Sequence, residues 1–252
     1  NKSVTVGDYT MTLESFAMDE NDLGIAWVVV TCPKGFKYTT ETGANEYGDP
    51  ALSEDSEFRS IGLVWEEDRH PCCWPEVNEE FTTPTELHLL LHFDANPDGK
   101  DLTRLTWDMS VVGHERDEGA IVVGPPEKRV GAIQCISDES EFVVSVSPFG
   151  YVVDGHAVSQ EYYEAVEEKA LFTMSDGTQL VAIEDLEELD GYSLVIDNRF
   201  FSMASEDYRS SRTLTTFFIN TDALESAIIQ LTLCGGDEDR VNTGDVVFYP
   251  KR

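Results

Sequence analysis

The sequence is short of positive charge. Lys and Arg number 17 against 49 Asp and Glu, a formal net charge of −32. Such a chain repels phosphate backbones and anionic lipid surfaces, which argues against nucleic-acid binding. It has no apolar run of 18 or more residues, so no stretch of it reads as a membrane-spanning helix. Cysteine is sparse and odd in number: Cys32, Cys72, Cys73, Cys135 and Cys234, at spacings that match no zinc pattern. Long runs of helical period are missing. There is no Gly-x-Ser-x-Gly elbow and no glycine-rich phosphate loop, and His114-Glu115 lacks the second histidine of a helical metalloprotease motif. Carboxylates are so common that no pair stands out as general acid and base. The expectation is a protein without catalytic residues, cofactor or resident metal.

What is present is β-pattern. Of the 252 residues 41% are hydrophobic, enough for packed cores in one large all-β domain or two ordinary sandwiches. Residues 142–155 are the pivot: Phe142, Val144 and Val146 alternate with Val143, Ser145 and Ser147, then Pro148 and Gly150 break the run before it restarts at Tyr151. Before the pivot, Val4 to Leu13 read as a strand bent at Gly7-Asp8, and 19–24 as a turn. Residues 25–30 read as a central strand buried on both faces. Residues 33–57 and 66–84 read as long excursions. Leu87 to Phe93 and Leu105 to Val111 read as the arms of a hairpin across 94–101. After it, 130–136, 142–146 and the Asp176-Gly177 hairpin are strands, as are 192–196, 214–219, 227–233 and 246–249. Residues 160–169 (QEYYEAVEEK) read as a short helix behind a Ser159 cap, and 220–225 as one helical turn. Many short strands with polar turns favour sandwiches. Gly124-Pro125-Pro126 is a linker, because two prolines cannot join a central ladder. The boundaries are therefore 1–126 and 127–252.

Several clusters invite chemistry. Cys135 and Cys234 lie in strand-like runs and are expected either to form a disulfide or to remain separate buried thiols. A bridge over a loop of that size would add about 4.7 kcal/mol in the chain-entropy model. His70, Cys72 and Cys73 sit in a rigid loop, but adjacent ligands have awkward geometry for zinc. Asp94, Asn96 and Asp98 with Gly99 match the opening of a calcium loop, yet Leu105 stands where the bidentate glutamate belongs, so the stretch reads as a turn. His88 and His92, four apart on one strand, read as solvated outer-face residues. Arg199, Arg209 and Arg212 share a segment with Phe200, Phe201 and Tyr208. That is an interface composition, set against the plainer reading in which the arginines pair with neighbours such as Glu206 and Asp207 and the rings are core. Trp74 and the tyrosines are candidates for an exposed sugar-stacking surface.

In order along the chain, GDYTMTLE (7–14), DENDLGIAWVVV (19–30), SPFG (147–150), MSDGT (174–178) and FINTDALESAI (218–228) resemble the successive elements of a bacterial domain-of-unknown-function family. Residues 33–57 and 66–84 depart from it. Members are typically the extracytoplasmic part of single-pass membrane proteins, often of anti-sigma-factor type, in Gram-positive bacteria. The resemblance implies immunoglobulin-like β-sandwiches and no catalytic residue. It also implies a cell-surface module whose only membrane link is a segment N-terminal to Asn1, and since a native chain opens with Met or a signal peptide, Asn1 is expected to mark a trimmed start. The expected function is a non-catalytic sensory or protein-interaction module with a protein or unidentified extracellular partner; the alternative is a secreted or surface-anchored adhesive or carbohydrate-binding protein.

Overall fold

The computed structural model describes residues 2–64, 73–95, 102–140, 142–154, 162–183, 194–205, 208–215, 217–235, 240–242 and 244–251. Those residues are all-β, with no α-helix among them. The chain divides into two compact units. The first comprises Asn1–Met18, Gly24–Ala95 and Asp101–Lys128; the second holds Arg129–Arg252 together with the short segment Asp19–Leu23.

In the first unit, one sheet has the order β1-β2-β3-β6-β5, formed by β1 (Lys2–Val6), β2 (Tyr9–Met18), β3 (Leu23–Thr31), β5 (Cys73–Val77) and β6 (Glu86–Asp94). A second has the order β4-β7-β8, from β4 (Phe58–Val64), β7 (Leu105–Val111) and β8 (Ala120–Val123). Met11, Leu13, Val28, Val30, Leu89 and Leu91 from the first sheet pack with Phe58, Leu63, Trp107 and Met109 from the second in one core. Burial follows the period of two that the alternation predicts.

Four expectations need correction in this unit. Gly7-Asp8 is a two-residue hairpin turn, not a bend: Val6 faces Tyr9 across it, and Gly7 takes φ +57°, a conformation that suits glycine. β3 is central but buried on one face only; Ala26, Val28 and Val30 are core while Ile25, Trp27 and Val29 are half-buried. The runs 87–93 and 105–111 are not hairpin partners. β6 pairs with β5, and β7 pairs with β4 and β8. Each run has an apolar face, and those faces meet across the core, where the Phe93 and Trp107 rings stand edge to face at 4.9 Å. The excursion 66–84 contains an edge strand, β5. The other excursion folds back on itself through Tyr38–Leu52 and Ala44–Pro50 bridges, and its Gly48 carbonyl accepts the Val77 N–H.

In the second unit, the strands are β9 (Ile133–Ile136), β10 (Val143–Ser147), β11 (Gly150–Asp154), β12 (Tyr162–Met174), β13 (Gln179–Ile183), β14 (Leu194–Ser205), β15 (Tyr208–Thr215), β16 (Leu224–Gly235), β17 (Arg240–Asn242) and β18 (Val246–Pro250). Their order is β12-β13-β14-β15-β11-β10-β9-β18-β16-β17, and β12 also pairs with β16, so the pairing closes on itself. Two strands make the corners. β14 runs parallel to β13 over its first residues and antiparallel to β15 beyond Asn198. β18 pairs with β16 through Phe248 and with β9 from Tyr249. Strands that change partner in this way are how packed sheets turn a corner. The core holds Cys135, Val144, Val146, Tyr151, Phe172, Ala227, Ile229 and Phe248.

Here too the sequence misleads in places. Residues 162–169 are strand, not helix, registered against β16 from Tyr162–Gly235 to Lys169–Gln230. Glu and Ala favour helix locally, but a ladder with a long apolar strand outweighs a few tenths of a kcal/mol per residue. β15 ends at Thr215, so 217–219 is not strand: Phe218 is exposed and Ile219 turns back into the core. The 3-10 turn at Thr221–Ala223 and the Asp176-Gly177 hairpin stand where the sequence puts them.

Candidate functional site

Of the predicted clusters, Cys135 and Cys234 stand apart, and most of the others reach outside the described residues. Cys135 is a free, buried thiol, with burial pushing its pKa up to about 11. The expected bridge to Cys234 is therefore not formed: Cys135 stands opposite Pro250 and Val144, whereas Cys234 stands opposite Glu164 and Arg240. Cys32 and Cys73 are free as well. His70, Cys72, Asn96 and Asp98 lie outside the described residues, as do Glu206 and Asp207 and the side chains of Cys234, Arg199, Arg209, Phe200, Phe201 and Tyr208. Asp94 itself is buried. Among the described residues, no group of three or more His, Cys, Asp or Glu is placed to hold a metal ion. In the second unit, a cleft of about 490 Å³ is lined by Gln134, Thr221, Asp222, Pro250 and Lys251.

Trp74 and His92 correct the sequence reading. Trp74 is buried rather than exposed, and its indole N–H donates to Asp49 Oδ1 at 3.0 Å. His92 is its cross-strand neighbour, is buried rather than solvated, and lies 3.3 Å from Glu76 Oε2. The excursion that carries Asp49 covers this end of the sheet.

Arg212 is buried too, and its partners are not its sequence neighbours. Its Nη2 donates to the Asn21 carbonyl within the second unit. Around it Asp19, fully buried, accepts the N–H groups of Asn21 and Leu23 on Oδ1 at 2.8 and 2.9 Å. Asn21 exchanges hydrogen bonds with Ser145, and Arg129 donates to Asp22. Asp22 adopts φ +66°, which a short polar side chain tolerates. Burial raises the Asp19 pKa to about 6, against the pull of the Ser147 hydroxyl, those two N–H groups and the Arg212 charge. The SPFG turn closes beside it. Ser147 Oγ accepts the Phe149 N–H, and a Cβ on Gly150 would sit 2.0 Å from the Thr213 carbonyl oxygen, so only glycine fits. The centre of this network, Asp19 and Arg212, is buried, while Asn21, Asp22 and Arg129 at its rim are partly exposed.

The outer face of the first unit's five-stranded sheet is different. On β1 and β2 it presents hydroxyls: Ser3 and Thr12 share a hydrogen bond at 3.0 Å, Thr5 and Thr10 another at 2.9 Å, and Thr31 stands opposite Thr10. Ser15, exposed, stands opposite Trp27 on β3. There the face becomes aromatic. The Trp27 ring lies 5.6 Å from Phe81 and 6.1 Å from His88, and Phe81 lies 6.0 Å from His88. Phe81 is 47% exposed at the tip of a turn whose Phe81 and Thr82 N–H groups both donate to the Asn78 carbonyl. Glu76 and Glu86 stand at the margin, and His88 Nε2 is 3.7 Å from Glu86. The sequence signal was available: a phenylalanine inside Asn-Glu-Glu-Phe-Thr-Thr-Pro has no apolar neighbour to pair with in a strand pattern.

No family model matches the chain, and no curated protein does. Among solved structures, it is similar to a conserved domain protein from Bacillus anthracis, at 9% identity over 100% of this chain and 88% of that one, with a TM-score of 0.40.

Proposed function

We propose that this chain is a non-catalytic recognition module, the extracytoplasmic sensory or protein-interaction part of a membrane-anchored regulator of anti-sigma-factor type, built from two immunoglobulin-like sandwiches. One observation carries the reading: the outer face of the first unit that the described residues leave open, where the exposed Phe81 ring packs on the partly buried Trp27 and His88 beside rows of hydroxyls. Exposed aromatic clusters on an otherwise polar surface are characteristic of binding sites. The ordered sequence elements from 7–14 to 218–228 support the regulator class. The same face favours a second reading, a secreted or surface-anchored adhesive module.

Deletion of the gene should change transcription from promoters of a neighbouring sigma factor. Phe81→Ala in the full-length protein should hold that output constant across growth conditions. Unchanged transcription on deletion, or a full-length gene without a membrane segment before Asn1, refutes the regulator and leaves the adhesive module.

A further inference from the structure

Resting on the recognition reading, we propose that this face takes a neutral oligosaccharide. Phe81, 47% exposed, packs tilted against the partly buried Trp27 and His88, and apolar C–H faces of pyranose rings pack on exposed rings of this kind. Ser15 stands directly across from Trp27, and the Ser3–Thr12 pair forms an adjacent row, opposite Val29. Hydroxyls of this kind act as both donor and acceptor, matching the hydroxyls of a sugar.

Charge excludes anionic ligands. None of the side chains that form this floor and row is Lys or Arg, and the chain carries −32 overall. A sulfated, phosphorylated or uronic-acid polymer meets repulsion and no counter-ion. An apolar protein surface fits less well, because it would cover the Ser3, Thr12 and Ser15 hydroxyls without replacing their water contacts. From β1 to β6 the face spans three strand spacings of roughly 4.8 Å each, enough for several sugar rings and more than one ring fills. The ligand is thus an extended glycan rather than a monosaccharide.

The experiment titrates the whole chain with cellohexaose, with chitohexaose and with glucose by calorimetry, and repeats it on Phe81→Ala and Thr12→Val. The expected result is saturable binding of at least one hexasaccharide, no binding of glucose, and about tenfold weaker binding by Phe81→Ala with its melting temperature unchanged. Thr12→Val is expected to weaken binding several-fold. No heat with either hexasaccharide at millimolar concentration overturns the proposal, as does binding that Phe81→Ala leaves intact. If the hexasaccharides fail while Phe81→Ala still fixes transcription in cells, the glycan falls and the recognition module stands. Binding that Phe81→Ala abolishes, in a protein whose deletion leaves transcription unchanged, keeps the glycan and removes the regulator.

Discussion

Two sheet faces, one in each unit, carry unusual side chains and treat them in opposite ways. In the second unit, the face bearing Arg212 and Ser145 is roofed by Asp19–Leu23, so that Asp19 and Arg212 are both buried and their surroundings are satisfied by Asn21, Leu23 and Ser147. In the first unit, Trp27, Phe81 and His88 lie on a face that the described chain leaves open. A filled polar cluster stabilises one arrangement of its own chain. An open aromatic cluster contributes little to that arrangement and is free to meet something else. Perturbed charge marks the first, exposure the second, and only the second is placed to recognise a ligand.

The largest effect that tests this contrast comes from Arg212→Met. Removing the guanidinium takes the donor from the Asn21 carbonyl and a favourable charge from the neighbourhood of the buried Asp19 carboxylate, and losing one side of a buried charged interaction typically costs about 3–5 kcal/mol. Urea denaturation of the second unit should show a loss of that order. A loss below about 1 kcal/mol would mean that Asp19 is already neutral at the working pH and that the pair is not ionic.

The next effect is in pH. Asp19 rises from 3.8 to about 6 on folding, so between those values the folded chain holds a proton that the unfolded chain has released. Stability from this group therefore falls as pH rises through the window, by about 3 kcal/mol in all, and the cost is complete above about 6. Asp19→Asn keeps an oxygen for the Asn21 and Leu23 N–H groups and should flatten that slope between pH 4 and 6. An unchanged slope would place the proton on another group.

The smallest effect belongs to the open face. Phe81→Ala removes a ring that touches Trp27 and His88 but is 47% exposed, so the melting midpoint should barely move, within about 0.5 kcal/mol. A loss of 2 kcal/mol or more would make the ring part of the core and close the comparison.

Particular residues show what was legible in the sequence. Alternation located most strands, because burial on one face imposes a period of two, as in Met11 and Leu13 or Leu89 and Leu91. Partners were harder. The runs 87–93 and 105–111 look like a hairpin because a polar turn separates them, yet periodicity says which face is apolar and nothing about which strand lies alongside. In 162–169 local preference pointed to helix and long-range pairing with β16 prevailed. Of the candidate site, the sequence reading put His88 on an outer face but singled out neither Phe81, which sits alone in a polar stretch, nor Trp27, since a tryptophan in a valine run looks like core. Trp74 was misplaced for the converse reason. Its exposure was inferred from a Pro- and Cys-rich loop, and only the fold brings Asp49 over it. The burial of Asp19 was equally hidden, because an aspartate in a turn normally faces water.

The corner made by β18 has a consequence for how the second unit forms. β9 begins at Ile133, but its partner residues Tyr249 and Pro250 come more than a hundred positions later, and β12 waits for β16 in the same way. The hairpins β9-β10-β11, β12-β13, β14-β15 and β16-β17 are local, but the ladders that close the unit, β9–β18, β11–β15 and β12–β16, join distant segments, so their loop-closure entropy must be met before they return anything. During synthesis β9, β10 and β11 can pair with one another, but the edges of β9 and β12 that meet β18 and β16 stay unmade. The unit is therefore expected to fold slowly and late, as a single event set off by the arrival of residues 246–250 rather than strand by strand as the chain is extended.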